Sequence, residues 1–282
     1  MILDRVRGAL IGEVRGLFND QAKGQRPVER SDDPYLPADS VAWRVHGDVT
    51  TMMVGGVSAL LLQMLHPSAL AGVWDHSNFR EDMIGRLRRT ARFIAQTTFA
   101  SKAEGAGAIA LVRRIHAKVS GVRADGKPYD ADDPRLLAWV HVAGAICFVD
   151  AWRRFGEPGM SLADQDRYFA EVAPGARALG AYPVPETRAE AEALIASFRL
   201  ELVADDRSRE IARIVLAPNQ QAKPHTAPVQ SLLMQAAVDL LPPWARTMHG
   251  LRASLLTRPA VDAMTFGLAG TLRWAFSSAA RA

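Results

Sequence analysis

Apolar residues recur every three or four positions along most of this chain, and this spacing is typical of amphipathic α-helices. The two-residue alternation expected of half-buried strands is hard to find, and β-branched residues are not clustered. Shorter helices are expected after Pro218. The longer predicted helices cover residues 1–18, 39–65, 80–100, 104–120, 134–155, 161–179 and 187–203. The pattern therefore predicts an all-α fold.

Several residues mark where these helices begin and end. Three starts carry capping signals. These signals are Asp133 before Pro134, Ser161 with Asp164, and Thr187 with Glu190. Gly121 and Gly180 are predicted to end helices, and residues 121–133 are predicted to form a loop or short hairpin. Breaks are expected at prolines: Pro67 after the long helix, then Pro224, Pro242-Pro243 and Pro259.

We predict one folded domain, residues 39–282, preceded by an N-terminal helix and arm, residues 1–38. The arm, from residue 19 onward, is rich in proline and charge. The chain has 282 residues, 49% hydrophobic and 23% charged, so it can bury a sizeable core. The formal net charge is only +4, and no long block of like charge occurs, which argues against a nucleic-acid partner.

Membrane insertion and export are not expected. The most apolar stretch, residues 50–65, is interrupted by Gln63 and two glycines, so it is predicted to be a buried core helix without a transmembrane segment. The first residues lack the features of a signal peptide, which favours a cytoplasmic location. The single cysteine, Cys147, lies in an apolar run and is interpreted as a buried small hydrophobe, with an axial thiolate as the alternative.

Residues 80–100 place cations and hydroxyls together. Arg86, Arg89 and Thr90 share one side of the predicted helix with Phe93 and Thr97. This side is either a solvated basic face or a wall that binds an acidic ligand group. Spacing alone does not decide between them.

Two histidines lie on apolar helix faces. His116 falls on the same face as Ile109 and Val112, and His141 shares a face with Phe148. A neutral imidazole in an apolar slot can bind iron. Either histidine can also be an ordinary buried residue.

Two further features leave alternatives open. His66, Asp75 and His76 could bind zinc or non-haem iron, although no compact metal-binding spacing is present, or they could cap helix ends. The pair Gly55-Gly56 lies inside an apolar helix. It indicates close approach of either a neighbouring helix or a flat macrocycle.

An ordered set of motifs over residues 40–200 resembles one family, the oxygenase MpaB family, which shares its catalytic domain with rubber oxygenase, the latex-clearing protein. The matching residues are Gly55-Gly56 with Leu62-Gln63, Leu65-His66-Pro67, Gly72-Val73 with Asp75-His76-Ser77, Gly85-Arg86-Leu87 with Arg89-Thr90, His116 with Val119 and Gly121, and Asp133-Pro134 with Leu136-Leu137 and Trp139-Val140-His141.

The resemblance implies a globin-like helical fold with a b-type haem pocket between core helices. His116 matches the proximal iron ligand, and its second ring nitrogen is expected to donate to a carbonyl or carboxylate. Arg86 and Thr90 match the catalytic residues of the distal helix. Arg86, Arg89 and His141 are expected to help bind the cofactor.

The match departs from rubber oxygenase at Arg89, where that enzyme has a lysine that can occupy the sixth coordination position of the iron. A guanidinium stays protonated and offers no lone pair, so we predict that a lysine-capped state cannot form. The glutamate base of the rubber enzyme has no counterpart that we can place.

The sequence therefore predicts a b-type haem-dependent oxygenase or oxidase. Its expected substrates are O₂ and a small hydrophobic molecule, with oxidative C=C cleavage as one possible reaction. A homodimer is also possible. The alternative is a helical module that binds haem or lipid without oxygenase activity.

Overall fold

The computed structural model describes residues 2–19, 24–217, 226–253 and 256–277. These residues form 13 α-helices and one short antiparallel hairpin, so the all-α prediction is confirmed; the globin-like detail stays a prediction. The helices are α1 (Ile2–Phe18), α2 (Val41–His46), α3 (Val49–Gln63), α4 (Pro67–His76), α5 (Met83–Phe99), α6 (Lys102–His116), α7 (Pro134–Phe155), α8 (Leu162–Leu179), α9 (Arg188–Ser197), α10 (Asp206–Leu216), α11 (Ala227–Leu240), α12 (Pro243–Met248) and α13 (Arg258–Ser277). The strands are β1 (Ser120–Val122) and β2 (Pro128–Asp130).

The core is built around α7, which is buried along most of its length. Its most extensive neighbour among the described elements is α3, and α8, α9, α11 and α13 also pack on it. Because α3 is apolar on nearly every side, it too can lie inside the protein. The buried apolar residues form one connected cluster around these two helices. The division of the chain after residue 38 stays a prediction.

The capping signals place several helix ends correctly. The Asp133 carboxylate accepts a hydrogen bond from the Leu136 amide at 2.8 Å, with Pro134 in the first turn of α7. Thr187 begins α9 in the same way, with Glu190 completing a capping box. Local chemistry was sufficient at these positions because the bonds join residues only three apart.

The predicted helix over residues 39–65 is wrong in one respect, since it is two helices. The break falls at Gly47-Asp48, where Asp48 starts α3 by accepting from the Thr51 amide at 2.8 Å. Arg273 pairs with the same carboxylate at 2.9 Å. A buried aspartate that is paired across the fold can thus interrupt an otherwise continuous apolar pattern.

Other boundaries also differ from the prediction. Gly121 does not end a helix, because α6 stops at His116 and Gly121 lies in β1 of the hairpin. By contrast, the break expected around Pro259 is confirmed, since α12 ends at Met248 and α13 begins at Arg258 with Pro259 in its first turn, where proline is tolerated. Helices α4 and α10 were not predicted, and α9 ends at Ser197 rather than residue 203.

Two further boundaries concern the end of α8 and the segment after α10. Gly180 ends α8 as predicted, with a left-handed φ of 102°. The expected break at Pro224 lies outside the described residues, as does Pro218.

One described helix, α7, is by itself long and apolar enough to cross a membrane, and α3 with α4 would pass the same test as a pair bent by 104°. Most of α7 is buried against its neighbours, as a core helix must be. The absence of a transmembrane segment stays a prediction.

Candidate active site

Helix α5, which carries the predicted distal residues, is only partly buried along nearly its whole length. Of its 17 residues only Thr98, near the C-terminal end, is buried, although Leu87 and Ile94 lie against the apolar core. Its first turn is fixed by Asp82, whose carboxylate accepts from the Gly85 amide at 2.7 Å. Helix α5 therefore lies near the surface, with one side against the core.

Arg86 lies in the first turns of α5 with its guanidinium largely removed from water. Its Nη1 donates to the Ser77 hydroxyl at 3.2 Å, and no ion pair joins it to any carboxylate in the described part of the chain. Burial, with a smaller contribution from the nearby charge of Arg89, lowers the pKa of Arg86 to about 10. Because a buried cation without a counter-ion is costly, this side chain is suited to an anionic ligand group.

Arg89 and Thr90 lie nearer the surface than Arg86. Arg89 donates to Asn78 at 3.3 Å and pairs with Asp82 at 3.5 Å, and both Arg89 and Thr90 are exposed. The Thr90 hydroxyl donates to the Arg86 carbonyl at 3.2 Å, so only its lone pairs stay free for a ligand. Of the three predicted wall residues, Arg86 has a largely buried side chain, whereas Arg89 and Thr90 are exposed to solvent.

His116, the predicted iron ligand, is the last residue of α6 and lies on its inner face with Ile109 and Val112. Its Nδ1 is buried, and none of the described residues forms a hydrogen bond with it. Burial lowers the pKa of His116, and the charge of Asp132 partly opposes this effect. The expected donation from its second nitrogen is not observed within the described residues, so a buried ring nitrogen is left for another partner.

Arg86 on α5 and His116 on α6 are equally far along the chain from the connection between the two helices. Only Ala100 and Ser101 join these helices, which pack against each other, and Ser101 forms a capping box with Glu104. Arg86 lies 15 residues before Ser101 and His116 lies 15 residues after it, which puts both about 22 Å from the connection along their helices. Because short connections are typical of antiparallel neighbours, we expect the two side chains to lie toward the same end of this helix pair.

His141, the second predicted cofactor residue, lies in the second turn of α7. Its Nε2 is buried and has no hydrogen-bond partner in the described part of the chain. Burial lowers its pKa to about 4, with Arg177 on α8 as a smaller cause. The structure thus holds a second neutral imidazole with a free nitrogen, and none of the described hydrogen bonds joins it to His116 or Arg86.

Two glycines flank the ring of Phe148 on the surface where α3 meets α7. A methyl group added at Gly56 or at Gly144 would lie 3.7 Å from this ring, which is ordinary contact. At Gly55 the same group would lie 2.9 Å from the Cys147 carbonyl oxygen and from the Phe148 ring. The alternative left open by the sequence is thereby resolved for Gly55, which admits a neighbouring helix, while Gly56 faces the ring of Phe148.

His46, which the sequence analysis did not identify, packs against Phe148 and helps to hold it in place. Its Nδ1 lies 2.8 Å from the Thr98 hydroxyl and its Nε2 lies 3.0 Å from the Tyr168 hydroxyl, and its edge meets Phe148 at a centroid distance of 5.9 Å. Thr98 already donates to the Ile94 carbonyl at 2.7 Å, so it accepts from Nδ1–H, and Nε2 accepts from Tyr168. Burial lowers the pKa of His46 to about 4. No local signal marks it, because its partners are 52 and 122 residues away.

The cluster of His66, Asp75 and His76 has structural roles. The His66 ring accepts from the Ser68 amide at 3.2 Å and begins α4. The Tyr129 hydroxyl donates to Asp75 at 2.8 Å and lies 3.1 Å from His76, which ties α4 to the hairpin. Among the described residues no group of three or more His, Cys, Asp or Glu could hold a metal ion. A haem iron requires only one protein ligand, so this finding bears on non-haem sites alone.

Cys147 is buried, and burial raises the pKa of its thiol to about 12. Its sulfur lies 3.7 Å from the Ser58 hydroxyl between α7 and α3. These surroundings keep the thiol protonated, as expected for a packing residue.

Fold and site together define an all-α protein that carries a largely buried guanidinium and two imidazoles, His116 and His141, each with a buried nitrogen that lacks a partner among the described residues. The family model for ER-bound oxygenase mpaB/B′ and rubber oxygenase, catalytic domain, matches residues 43–274. The chain belongs to this family, and it is an enzyme of the oxygenase type. No curated protein and no solved structure matches it.

Proposed function

We propose that this enzyme is a b-type haem-dependent oxygenase that uses O₂ to oxidise a small hydrophobic molecule. The observations that carry the proposal concern two side chains of the α5–α6 pair. The Arg86 guanidinium is largely buried and has no carboxylate partner among the described residues, and the buried Nδ1 of His116 has no hydrogen-bond partner there. A haem needs such a pair, since its iron takes an imidazole nitrogen and its propionates take cations. The family supports oxygenase activity in general terms.

In this proposal, His116 binds the iron through a ring nitrogen. Its lowered pKa keeps the ring neutral and able to donate a lone pair. Arg86 binds a propionate, because its guanidinium is largely buried and lacks a carboxylate partner among the described residues. Arg89, exposed and tethered to Asp82, closes the rim of the site. His141 contributes a neutral imidazole to the pocket wall.

The bound cofactor would supply the redox chemistry with O₂, while the protein controls access, polarity and orientation. Leu87 and Ile94 on α5 and Met52 and Met53 on α3 are partly buried side chains that pack against the core. Such a lining favours an apolar substrate and keeps water away from it. Thr90, whose hydroxyl proton is already donated to Arg86, can accept a hydrogen bond from water or substrate at the rim.

An absorption spectrum of the purified protein, with a pyridine haemochrome assay, tests the cofactor. We expect a Soret band and close to one haem per chain. The protein reconstituted with hemin provides the same test if it is isolated without colour. The proposal would be refuted if the protein contains no haem as purified and also fails to bind added hemin.

Three single variants identify the ligand, with His76 as the matched control because it lies in a hydrogen-bonded surface network. His116→Ala is expected to lose haem or hold it weakly, whereas His141→Ala and His76→Ala keep it. Haem content and spectrum unchanged in His116→Ala would exclude this ligand, and loss confined to His141→Ala would assign the role to that residue. O₂ uptake with an alkene substrate then measures the oxygenase reaction.

A further inference from the structure

A second site lies at the opposite end of α7 from His141. An open cavity of about 430 Å³ is formed where the end of α7 meets α12 and the first residues of α9 and α13. Arg153 on its wall is 12 residues beyond His141, or about 18 Å along the helix. Five arginines from four helices line the cavity: Arg153, Arg154, Arg188, Arg246 and Arg258.

The carboxylates in and around the cavity neutralise only part of this charge. Asp150 is shared, since it pairs with Arg188 and also accepts from Arg153 at 3.4 Å. Asp262 pairs with Arg154 at 2.6 Å.

The other two arginines, Arg246 and Arg258, have no carboxylate within 4 Å in the described part of the chain, and the buried Nε of Arg153 lacks a hydrogen-bond partner there. Against the five guanidinium groups, the lining holds only two carboxylates, Asp150 and Asp239. Two carboxylates outside the lining, Asp262 and Glu192, pair with Arg154 and Arg188. The positive charge left over is therefore that of the unpaired Arg246 and Arg258.

The backbone holds two of these cations together. Arg154 and Arg246 reach the carbonyl oxygen of Asp239 from different helices, at 3.0 and 3.1 Å. The Asp239 carboxylate is buried, accepts from Gln235 at 3.0 Å, and leaves its second oxygen without a partner among the described residues. Each guanidinium retains further N–H donors, because one shared carbonyl occupies a single donor of each fork.

The remaining lining residues are apolar: Pro158, Leu240, Leu241 and Pro242-Pro243. A ligand that fits carries negative charge for the unpaired guanidinium groups and a ring or aliphatic part for the apolar lining. Convergent, planar guanidinium groups match the oxygens of a phosphate better than a single carboxylate can, since a phosphate offers more acceptors and a second charge.

The geometry points to a binding site for a soluble small molecule that carries a phosphate or diphosphate group, separate from the proposed haem site. Helix α7 connects this cavity to the candidate active site, since Arg153 and Arg154 lie near one end of the helix and His141 lies near the other.

Isothermal titration calorimetry of the full chain with inorganic pyrophosphate, at constant ionic strength, tests this site. We expect saturable binding with one site per chain. The variant Arg246→Gln/Arg258→Gln removes the two unpaired cations, and binding should weaken at least about tenfold, because each lost charge-assisted hydrogen bond is strong. The control Arg5→Gln/Arg213→Gln makes the same charge change at exposed positions on α1 and α10 and should bind as the wild type does.

Absence of saturable binding, or equal weakening in both double variants, would overturn the assignment. Binding to vesicles that contain phosphatidic acid but not to pyrophosphate would overturn it as well, in favour of a membrane contact. Circular dichroism checks that each variant is folded. Should the site variant fail this check, Arg258→Gln alone repeats the test at a residue with no described hydrogen bond. None of these readouts depends on haem.

Discussion

The adjacent glycines of α3 should respond in opposite ways to the same substitution. Gly55→Ala puts a methyl group 2.9 Å from the Cys147 carbonyl oxygen and 3.1 Å from the Cα atom of Phe148, both in the backbone of α7. Gly56→Ala puts its methyl group 3.7 Å from the Phe148 ring. The first contact can be relieved only by moving a helix, whereas the second needs no movement.

The magnitudes follow from two opposing terms. Alanine stabilises a helix interior by about 1 kcal/mol relative to glycine. Forcing an extra methyl group into a packed core costs about 1–3 kcal/mol. Gly55→Ala carries both terms and should lose up to about 2 kcal/mol, while Gly56→Ala carries mainly the first and should be neutral or gain up to about 1 kcal/mol.

Urea denaturation of the two variants, followed by far-UV circular dichroism, measures the difference. For a domain of this size, 1 kcal/mol corresponds to a change in Tm of roughly 2 °C or more, so a thermal scan provides a second reading. If Gly55→Ala is as stable as Gly56→Ala, then α3 and α7 do not approach as closely as described. If Gly56→Ala is stable but binds hemin poorly, Gly56 lies under the cofactor, which extends the proposed site to the Phe148 surface.

Three further predictions concern single side chains. Arg86→Gln should release haem at least about tenfold faster than the wild type in a transfer assay to apomyoglobin, whereas the exposed Arg89→Gln should not; equal rates would remove Arg86 from the proposed site. The pKa of His46 is about 4 in the folded state and about 6.5 in the unfolded state. Its contribution to the free energy of unfolding is therefore fully present above pH 6.5 and is lost as the pH falls toward 4. Between pH 7.5 and pH 5 the free energy of unfolding should fall by roughly 2 kcal/mol from this residue alone. The decrease should be smaller in His46→Gln when denaturation is measured at both pH values. Cys147 should not react with a thiol reagent until the protein unfolds, because its pKa is raised to about 12 by burial; reaction in the native state would contradict its buried position.

Sequence patterns gave the fold class and many helix starts because both depend on neighbours a few residues apart. Asp133 and Thr187 cap helices through amides three residues ahead, and Gly180 ends one through its own backbone freedom. The break at Gly47-Asp48 was missed although Asp48 also caps a helix through an amide three residues ahead, because the apolar pattern continues on both sides of it. Its pairing with Arg273 from the far end of the chain has no local signal. For the same reason the hydrogen bonds of His46 were invisible in the sequence.

In the candidate site, too, the features that depend on local spacing could be predicted and those that depend on long-range packing could not. His116 is on the inner face of α6 as its spacing predicted, but the exposure of Arg89 and Thr90 depends on where α5 lies relative to the core. Arg86 differs from them because its side chain reaches Ser77 at the C-terminal end of α4. A basic stripe on a helix therefore does not reveal which of its members is buried.

One long-range relation in this site is nevertheless encoded locally. Ser101 and Glu104 have the spacing of a capping box, and this fixes the first residue of α6. Once that junction is known, the equal separation of Arg86 and His116 from it predicts that both lie toward one end of an antiparallel helix pair. Lengthening α6 by one residue before His116 would rotate the imidazole by about 100° away from the inner face while moving it only about 1.5 Å along the axis. An alanine inserted between Val112 and Arg113 should therefore abolish haem binding and leave the helix content nearly unchanged, while an alanine inserted in the exposed turn at Asp125-Gly126 should leave haem binding intact.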